Sequence, residues 1–371
     1  MLSRRSVLGW SAASLGCGVW WGGPAAAVDA SASDAARTAW QAWRAAHLDP
    51  SGRVIDNVQN GISHSEGQGY AMVLATAFED REAFDAIWSW TQARLQVRDG
   101  DALLAWKWDP AQPEVPPDKN NASDGDLFVA WGLLRAAQVF DDDGYLLSAQ
   151  PIARDLQQIC VKPMPGRPNW AVLLPGAVGF WDPGTERATL NLSYAFHRAM
   201  RDLAQEFDLP RLALASATNR AITDRMSEFG LPPDWLDVWP SGMAPTKAKW
   251  PVFGYEAMRI PLFETWSGRS AAPAVRRAAI LYADDIDTGM AETGTPTRAS
   301  LSGSDILERS SDPGYSALRA IALCSYGAPA GPDGPDYLRT PFVAEQNYYP
   351  ATLHMLAMAA NLEVGLQCTR A

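Results

Sequence analysis

At three junctions where the chain passes from loop to apolar run stand one or two carboxylates. Glu66 lies in Ser65-Glu66-Gly67-Gln68-Gly69-Tyr70, followed at once by Ala71-Met72-Val73-Leu74-Ala75. Asp124 and Asp126 lie in Ala122-Ser123-Asp124-Gly125-Asp126, ahead of an apolar stretch that begins at Leu127, and Glu256 lies in Tyr255-Glu256-Ala257-Met258-Arg259. A carboxyl held at such a boundary, half against apolar surface, can have its pKa raised and act as a proton donor near neutral pH. Two carboxyls on opposite sides of a glycosidic bond are the minimal apparatus for cleaving a sugar polymer. Each acid also has a plainer explanation. Ser63-His64-Ser65-Glu66 spells a capping box, Asp124 stands where an N-cap is favoured, and Glu256 can pair with Arg259 three residues on.

For the three acids to act together, the elements that carry them must share one face. The stretch after Glu66 and the stretch Leu127 to Phe140 read as helices apolar nearly all round, and such helices must be covered nearly all round. A third buried helix begins near Phe253 and is broken at Pro261. By contrast, Ala36 to Ala46 and Glu82 to Leu95 place Trp40, Trp43, Phe84, Ile87 and Trp88 at three-and-four spacing, as outer amphipathic helices do. Further helices are read over Ser148 to Cys160, Thr189 toward Phe207, Leu212 to Phe229, Arg276 to Tyr282, Gly314 to Tyr326 and Leu353 to Leu362. A small hairpin is expected around Trp235, Val238 and Trp239, and a polar loop from Asp287 to Ser304. Roughly ten or more helices in one chain fit ordinary helix and connection lengths. Their alternation predicts an all-α barrel, an inner ring shielded by an outer one, with short loop or strand insertions at the groove face.

The 371 residues include 16 Trp, 10 Tyr and 11 Phe, more aromatic surface than packing alone requires. An indole N–H must find a partner when buried, so some of these rings are expected to line a groove, where flat apolar faces suit sugars. A formal charge of −11 and a pI near 4.9 exclude a nucleic-acid binder, but not a binder of neutral polymers.

Residues 1–27 read as an export signal, with Arg4-Arg5 before a short apolar stretch and Ala25-Ala26-Ala27 at the cleavage point, a twin-arginine-like pattern. The apolar stretch is too short for a stable membrane anchor. Cleavage leaves 29 basic against 42 acidic residues, a charge of −13. Cys160, Cys324 and Cys368, an odd number at wide spacing, define no disulfide framework or zinc site, and four scattered His make no metal centre. The expected setting is periplasmic or secreted, without metal or cofactor, and residues 28–371 are read as one domain.

Taken together, the motifs around Glu66, Asp124 and Glu256 resemble glycoside hydrolase family 8, and within it the endoglucanases encoded beside bacterial cellulose synthases. Trp106-Lys107-Trp108, Leu173-Leu174-Pro175-Gly176-Ala177-Val178-Gly179-Phe180 and Asn191-Leu192-Ser193-Tyr194 support the resemblance, which runs from about residue 35 to about 360. It implies an (α/α)6 barrel that cleaves internal β-1,4-glucosidic bonds with inversion. Glu66 takes the place of the family's proton donor, and Asp124 that of a sugar-orienting aspartate elsewhere assigned as nucleophile. Glu256 stands where the family usually has an aspartate acting as base, a departure of one methylene. Arg259 and Tyr194 are expected to support the carboxylates and the sugar, Trp106 and Trp108 to stack on it, and Asp126, Gln68 and Tyr70 to line the groove. The implied partner is a β-1,4-glucan chain, met by a monomer that associates with a cellulose synthase complex. A hydrolase of xylan, chitosan or mixed-linkage glucan would carry the same acids, and a noncatalytic glucan-binding protein would carry the same aromatics.

Overall fold

The computed structural model describes residues 30–327 and 340–366; the export signal, Cys17 and Cys368 lie outside them. Eleven α-helices are formed among the described residues: α1 (Ala30–His47), α2 (Ser65–Ala77), α3 (Arg81–Arg94), α4 (Ser123–Val139), α5 (Gly144–Asp155), α6 (His197–Glu206), α7 (Pro210–Ser227), α8 (Ile260–Trp266), α9 (Pro273–Asp287), α10 (Pro313–Tyr326) and α11 (Tyr348–Val364). Six of them, α2, α4, α6, α8, α10 and α11, pack each on the next and α11 back on α2, closing an inner ring. Outside it, α1 covers α11, α3 covers α2, α5 covers α4, α7 covers α6, and α9 lies over α8 and α10. This is the (α/α)6 barrel.

Burial explains the two kinds of sequence pattern. Met72 to Ala75 and Leu127 to Ala130 are wholly enclosed, because inner helices meet protein on every side. The outer α1 buries Ala36, Ala39, Trp40 and Trp43 and leaves its other face exposed. Its indoles are satisfied inside, Trp40 Nε1 donating to Asp80 Oδ2 (2.9 Å) and Trp43 Nε1 to Thr352 Oγ1 (3.1 Å). Among the described residues, the buried Trp108, Trp131 and Trp266 likewise find indole partners inside. Helices α2 and α4 approach through glycines: a Cβ on Gly69 would lie 2.7 Å from the Phe128 side chain, and one on Gly125 would lie 2.1 Å from Ser65 Oγ. No larger residue permits that approach.

Three small antiparallel sheets lead into the starts of the inner helices. Ser63–His64 pairs with Lys107–Trp108, Leu236–Trp239 lies between Arg187–Leu190 and Gly242–Pro245, and Thr295–Ser300 lies between Val252–Phe253 and Ile306–Ser310. The hairpin near Trp239 is as expected; other boundaries differ. Thr189 belongs to a strand, its hydroxyl donating to Asp237 Oδ1 (2.6 Å), so α6 begins only at His197. The region expected to be a polar loop from Asp287 to Ser304 holds a short 3-10 helix, Met290–Thr293, and the strand Thr295–Ser300, whose Thr295, Thr297 and Ala299 point inward. Its two-residue period is written in threonine and alanine rather than in large apolar residues. Pro261 sits in the first turn of α8, where its missing N–H costs nothing, and does not break the helix. Cys160 is a free buried thiol, whereas Cys324 is disulfide-bonded, a pairing the cysteine spacing did not announce.

Candidate active site

Residues at or just before the starts of the inner helices line one groove of about 670 Å³. They include Glu66 and Asp124, Tyr194 and Glu256, Asp312 and Asn347. The ring geometry therefore delivers what the junction motifs suggested, three acids on one face.

The expected capping box at α2 does not form. The cap is His64, whose Nδ1 accepts from Gly67 N (3.0 Å), while Ser63 Oγ donates to Val54 O (2.5 Å). Glu66 is thereby free to face the groove, where Arg259 Nη1 donates to its Oε2. Asp124 does not cap α4 either; the N-cap is Ala122, and Asp124 Oδ1 accepts only from the next amide, Gly125 N (2.8 Å). Its Oδ2 is buried without a hydrogen-bond partner, 3.8 Å from Arg259 Nη1, and the Glu66 carboxyl is its acidic neighbour. Two carboxyls bond to each other only when one carries a proton.

The electrostatics place that proton. Burial pushes Glu66 up, yet Arg259, His64 and the hydrogen bonds from Asp124 and Arg259 outweigh it and hold Glu66 below its ordinary value. Burial and the neighbouring Glu66 charge push Asp124 well above its own, with Arg259 opposing only in part. The two shifts run in opposite directions, so of the two carboxyls Asp124 holds a proton the more readily. This corrects the expectation that Glu66 itself would carry the raised pKa; contact with a guanidinium reverses the effect of burial.

Glu256 lies in the turn before the short 3-10 helix Ala257–Arg259. Its Oε2 accepts from Asn191 Nδ2 (2.9 Å) and from Arg259 Nη2. The pairing with Arg259 foreseen from their spacing is therefore real, and the same guanidinium also binds Glu66. Arg259 Nη1 further donates to Tyr70 Oη (3.0 Å) and Nη2 to Ser193 Oγ (2.7 Å).

Of the residues expected to bind sugar, Trp106, Tyr194 and Arg259 line the groove. Trp106 Nε1 is anchored on Asp118 Oδ2 (2.9 Å), and the Tyr194 ring lies 5.7 Å from the Arg259 guanidinium carbon. The others are placed behind the wall. Trp108 is in the core, edge-on to Trp90 and bonded to Pro113 O. Gln68 is fully enclosed, accepting from Val54 N (2.7 Å) and donating to Thr91 Oγ1 (2.8 Å). Asp126 is fully enclosed, accepting from Leu104 N (2.8 Å) and Asn121 Nδ2 (2.7 Å). Tyr70 buttresses Arg259 from behind. Each of these groups spends its polar atoms on protein partners.

Sequence reasoning missed Tyr349, Tyr255, Glu308 and Asn191. Tyr349 Oη donates to Tyr255 O (2.5 Å), and Tyr255 Oη to Glu308 Oε1 (2.5 Å), and all three residues line the groove. Tyr349 could have been found by applying the junction rule to Asn347-Tyr348-Tyr349-Pro350 as well. Asn191 and Glu308 carry no such signal, because strand pairings remote in sequence bring them in.

Comparison with known proteins bears on this arrangement. The family model described as glycosyl hydrolases family 8 matches residues 17–363. The chain belongs to glycoside hydrolase family 8. Among curated relatives, an endoglucanase from Cellulomonas uda is 36% identical over 62% of this chain and 64% of its own length. A probable endoglucanase from Novacetimonas hansenii is 38% identical over 64% of this chain and 68% of its own. The chain thus spans about two thirds of the curated relatives it matches. The solved endo-β-1,4-glucanase of Acetobacter xylinum superposes with a TM-score of 0.76 at 29% identity, covering 90% of this chain and 99% of that one. No helix among the described residues is long and apolar enough to cross a membrane.

Proposed function

We propose that this family 8 protein is an endo-β-1,4-glucanase that hydrolyses internal glucosidic bonds of cellulose with inversion. One observation carries the reading: the Glu66–Asp124 pair and Glu256 meet on the two terminal nitrogens of one buried arginine, in an open groove. Relatives named endoglucanases support the substrate class.

In this reaction Glu66 receives the pair's proton from Asp124 and passes it to the departing glycosidic oxygen. Both protein bonds to Glu256 fall on Oε2, leaving Oε1 to draw a proton from the water that attacks the anomeric carbon. The carbon–oxygen bond of the leaving sugar breaks as the new one forms on the opposite face, and no covalent intermediate arises. Asp124, buried beside Glu66 with its pKa raised, orients the sugar beside the acid. Trp106 and Tyr194 offer flat faces to the chain. Export by residues 1–27 would put the enzyme in the periplasm or outside the cell, and association with a cellulose synthase rests on the sequence resemblance.

Proton NMR of cellohexaose hydrolysis tests the mechanism: the α-anomer is expected first, and a β-anomer would overturn inversion. A Glu66→Gln variant is expected to lose on the order of 10³-fold in rate while still binding the oligosaccharide. Parent protein that binds cellohexaose but releases no reducing ends would instead support a noncatalytic glucan binder. Faster cleavage of xylan, chitosan or mixed-linkage glucan than of cellulose derivative would move the substrate class.

A further inference from the structure

We infer that Asp234 is a positioning residue that fixes the carboxylate of Glu256 by clamping the backbone on both sides of it. The inference rests on Glu256 being the base proposed above. Asp234 Oδ1 accepts from Gly254 N (2.8 Å) and from Ala257 N (2.8 Å), so one oxygen ties the residue two before Glu256 to the residue after it. No side chain of the segment itself caps this turn; the cap comes from twenty residues upstream. Asp234 is in turn fixed by its own amide, which donates to Val252 O (2.9 Å) on the strand that leads to Glu256.

The contact admits only glycine at position 254, since a Cβ there would lie 2.7 Å from Asp234 Oδ2. Burial pushes the Asp234 carboxyl up to about 6, against the two amide bonds that hold it down. The chain accepts that burial and keeps an acid at this point. The position of Glu256 bears directly on this. A glutamate in place of the usual aspartate reaches further, so the turn that bears it must be held at a definite depth, and a displacement of about 1 Å costs on the order of 10²-fold in rate. The Asp234 clamp supplies that depth without touching the substrate.

The test uses the full chain with cellohexaose and four variants, each checked for its melting temperature. Asp234→Ala is expected to lower kcat about 10²-fold, with KM changed by less than about threefold. Asp234→Asn keeps an oxygen able to accept from both amides and is expected to stay within about threefold of the parent. A parent-like kcat in Asp234→Ala, or an equal loss in Asp234→Asn, would overturn the inference. If Asp234→Ala does not fold, Gly254→Ala displaces the carboxylate without removing it. A fall of about tenfold in kcat is expected there, and an unchanged kcat refutes the clamp. The fourth variant, Glu256→Ala, isolates the underlying assignment: with azide it is expected to yield the α-glucosyl azide. Parent-like turnover in that variant would remove the base reading, and the clamp with it, by a result independent of Asp234.

Discussion

Arg259 is enclosed to 1% exposure, yet it donates to both Glu66 and Glu256 and lies 3.8 Å from Asp124. An arginine suits this place because its planar fork offers five donors in fixed directions. Its charge is what keeps Glu66 below its ordinary pKa against burial. Replacing it by a neutral Arg259→Gln should therefore raise the proton affinity of the Glu66–Asp124 pair and move the alkaline limb of the kcat profile to higher pH. The loss of alignment should lower kcat at least 10²-fold; a pH–rate series on cellohexaose reads both. At this scale much of the site was visible in the sequence. Glu66, Asp124 and Glu256 announce themselves because each acid interrupts an otherwise apolar or glycine-rich junction. Asp234 and Asn191 do not, since their partners lie 20 and 65 residues away and their neighbours look like ordinary turn chemistry. Asp126 and Gln68 were visible for the wrong reason, because polar residues that brace a helix start look from sequence like residues that face a ligand.

The start of α4 shows what that bracing does. Asp126 ties Leu104 and Asn121 to the helix, and burial pushes its carboxyl up to about 7 from an ordinary 3.8. The folded chain therefore binds a proton at this site that the unfolded chain has released. Between those two values its contribution to stability falls as pH rises, and it is fully present only below about 3.8. Asp126→Asn should flatten the decline between pH 4 and pH 7 in urea denaturation while changing stability by no more than about 1–2 kcal/mol at neutral pH. Elements as a class were read well wherever periodicity was written in large apolar residues, as in α2, α3 and α4. They were misread where small or polar residues carried the period, as in Thr295–Ser300. The cap of α2 was misread for a related reason, because His64 is an unusual cap and a serine one position earlier looked sufficient.

Across the whole molecule, the end of the barrel away from the groove is tied by one carboxylate. Glu363, in the last turn of α11, accepts from Arg135 of α4 (2.7 Å), from Trp266 of α8 (2.9 Å) and pairs with Arg198 of α6 (2.7 Å), joining four inner helices. Burial pushes Glu363 up, but Arg135 and Arg198 hold it below its ordinary value. Its contribution is therefore present above about 4.5 and lost as pH falls through its lowered pKa, opposite in sign to that of Asp126. Glu363→Gln should cost about 1–3 kcal/mol in denaturant unfolding and leave kcat near that of the parent, since the change lies far from the acids. The ring also sets the traffic of protons. In the proposed reaction each cut takes a proton from the Glu66–Asp124 pair and adds one to Glu256, with Arg259 between them. A guanidinium never gives up its protons, so it insulates the two sides rather than wiring them together. Recharging must run through solvent, which reaches Glu66 and Glu256 at 17% and 30% exposure. The groove that admits the polymer is then also the proton's return path, and a product chain that lingers there delays the next cut.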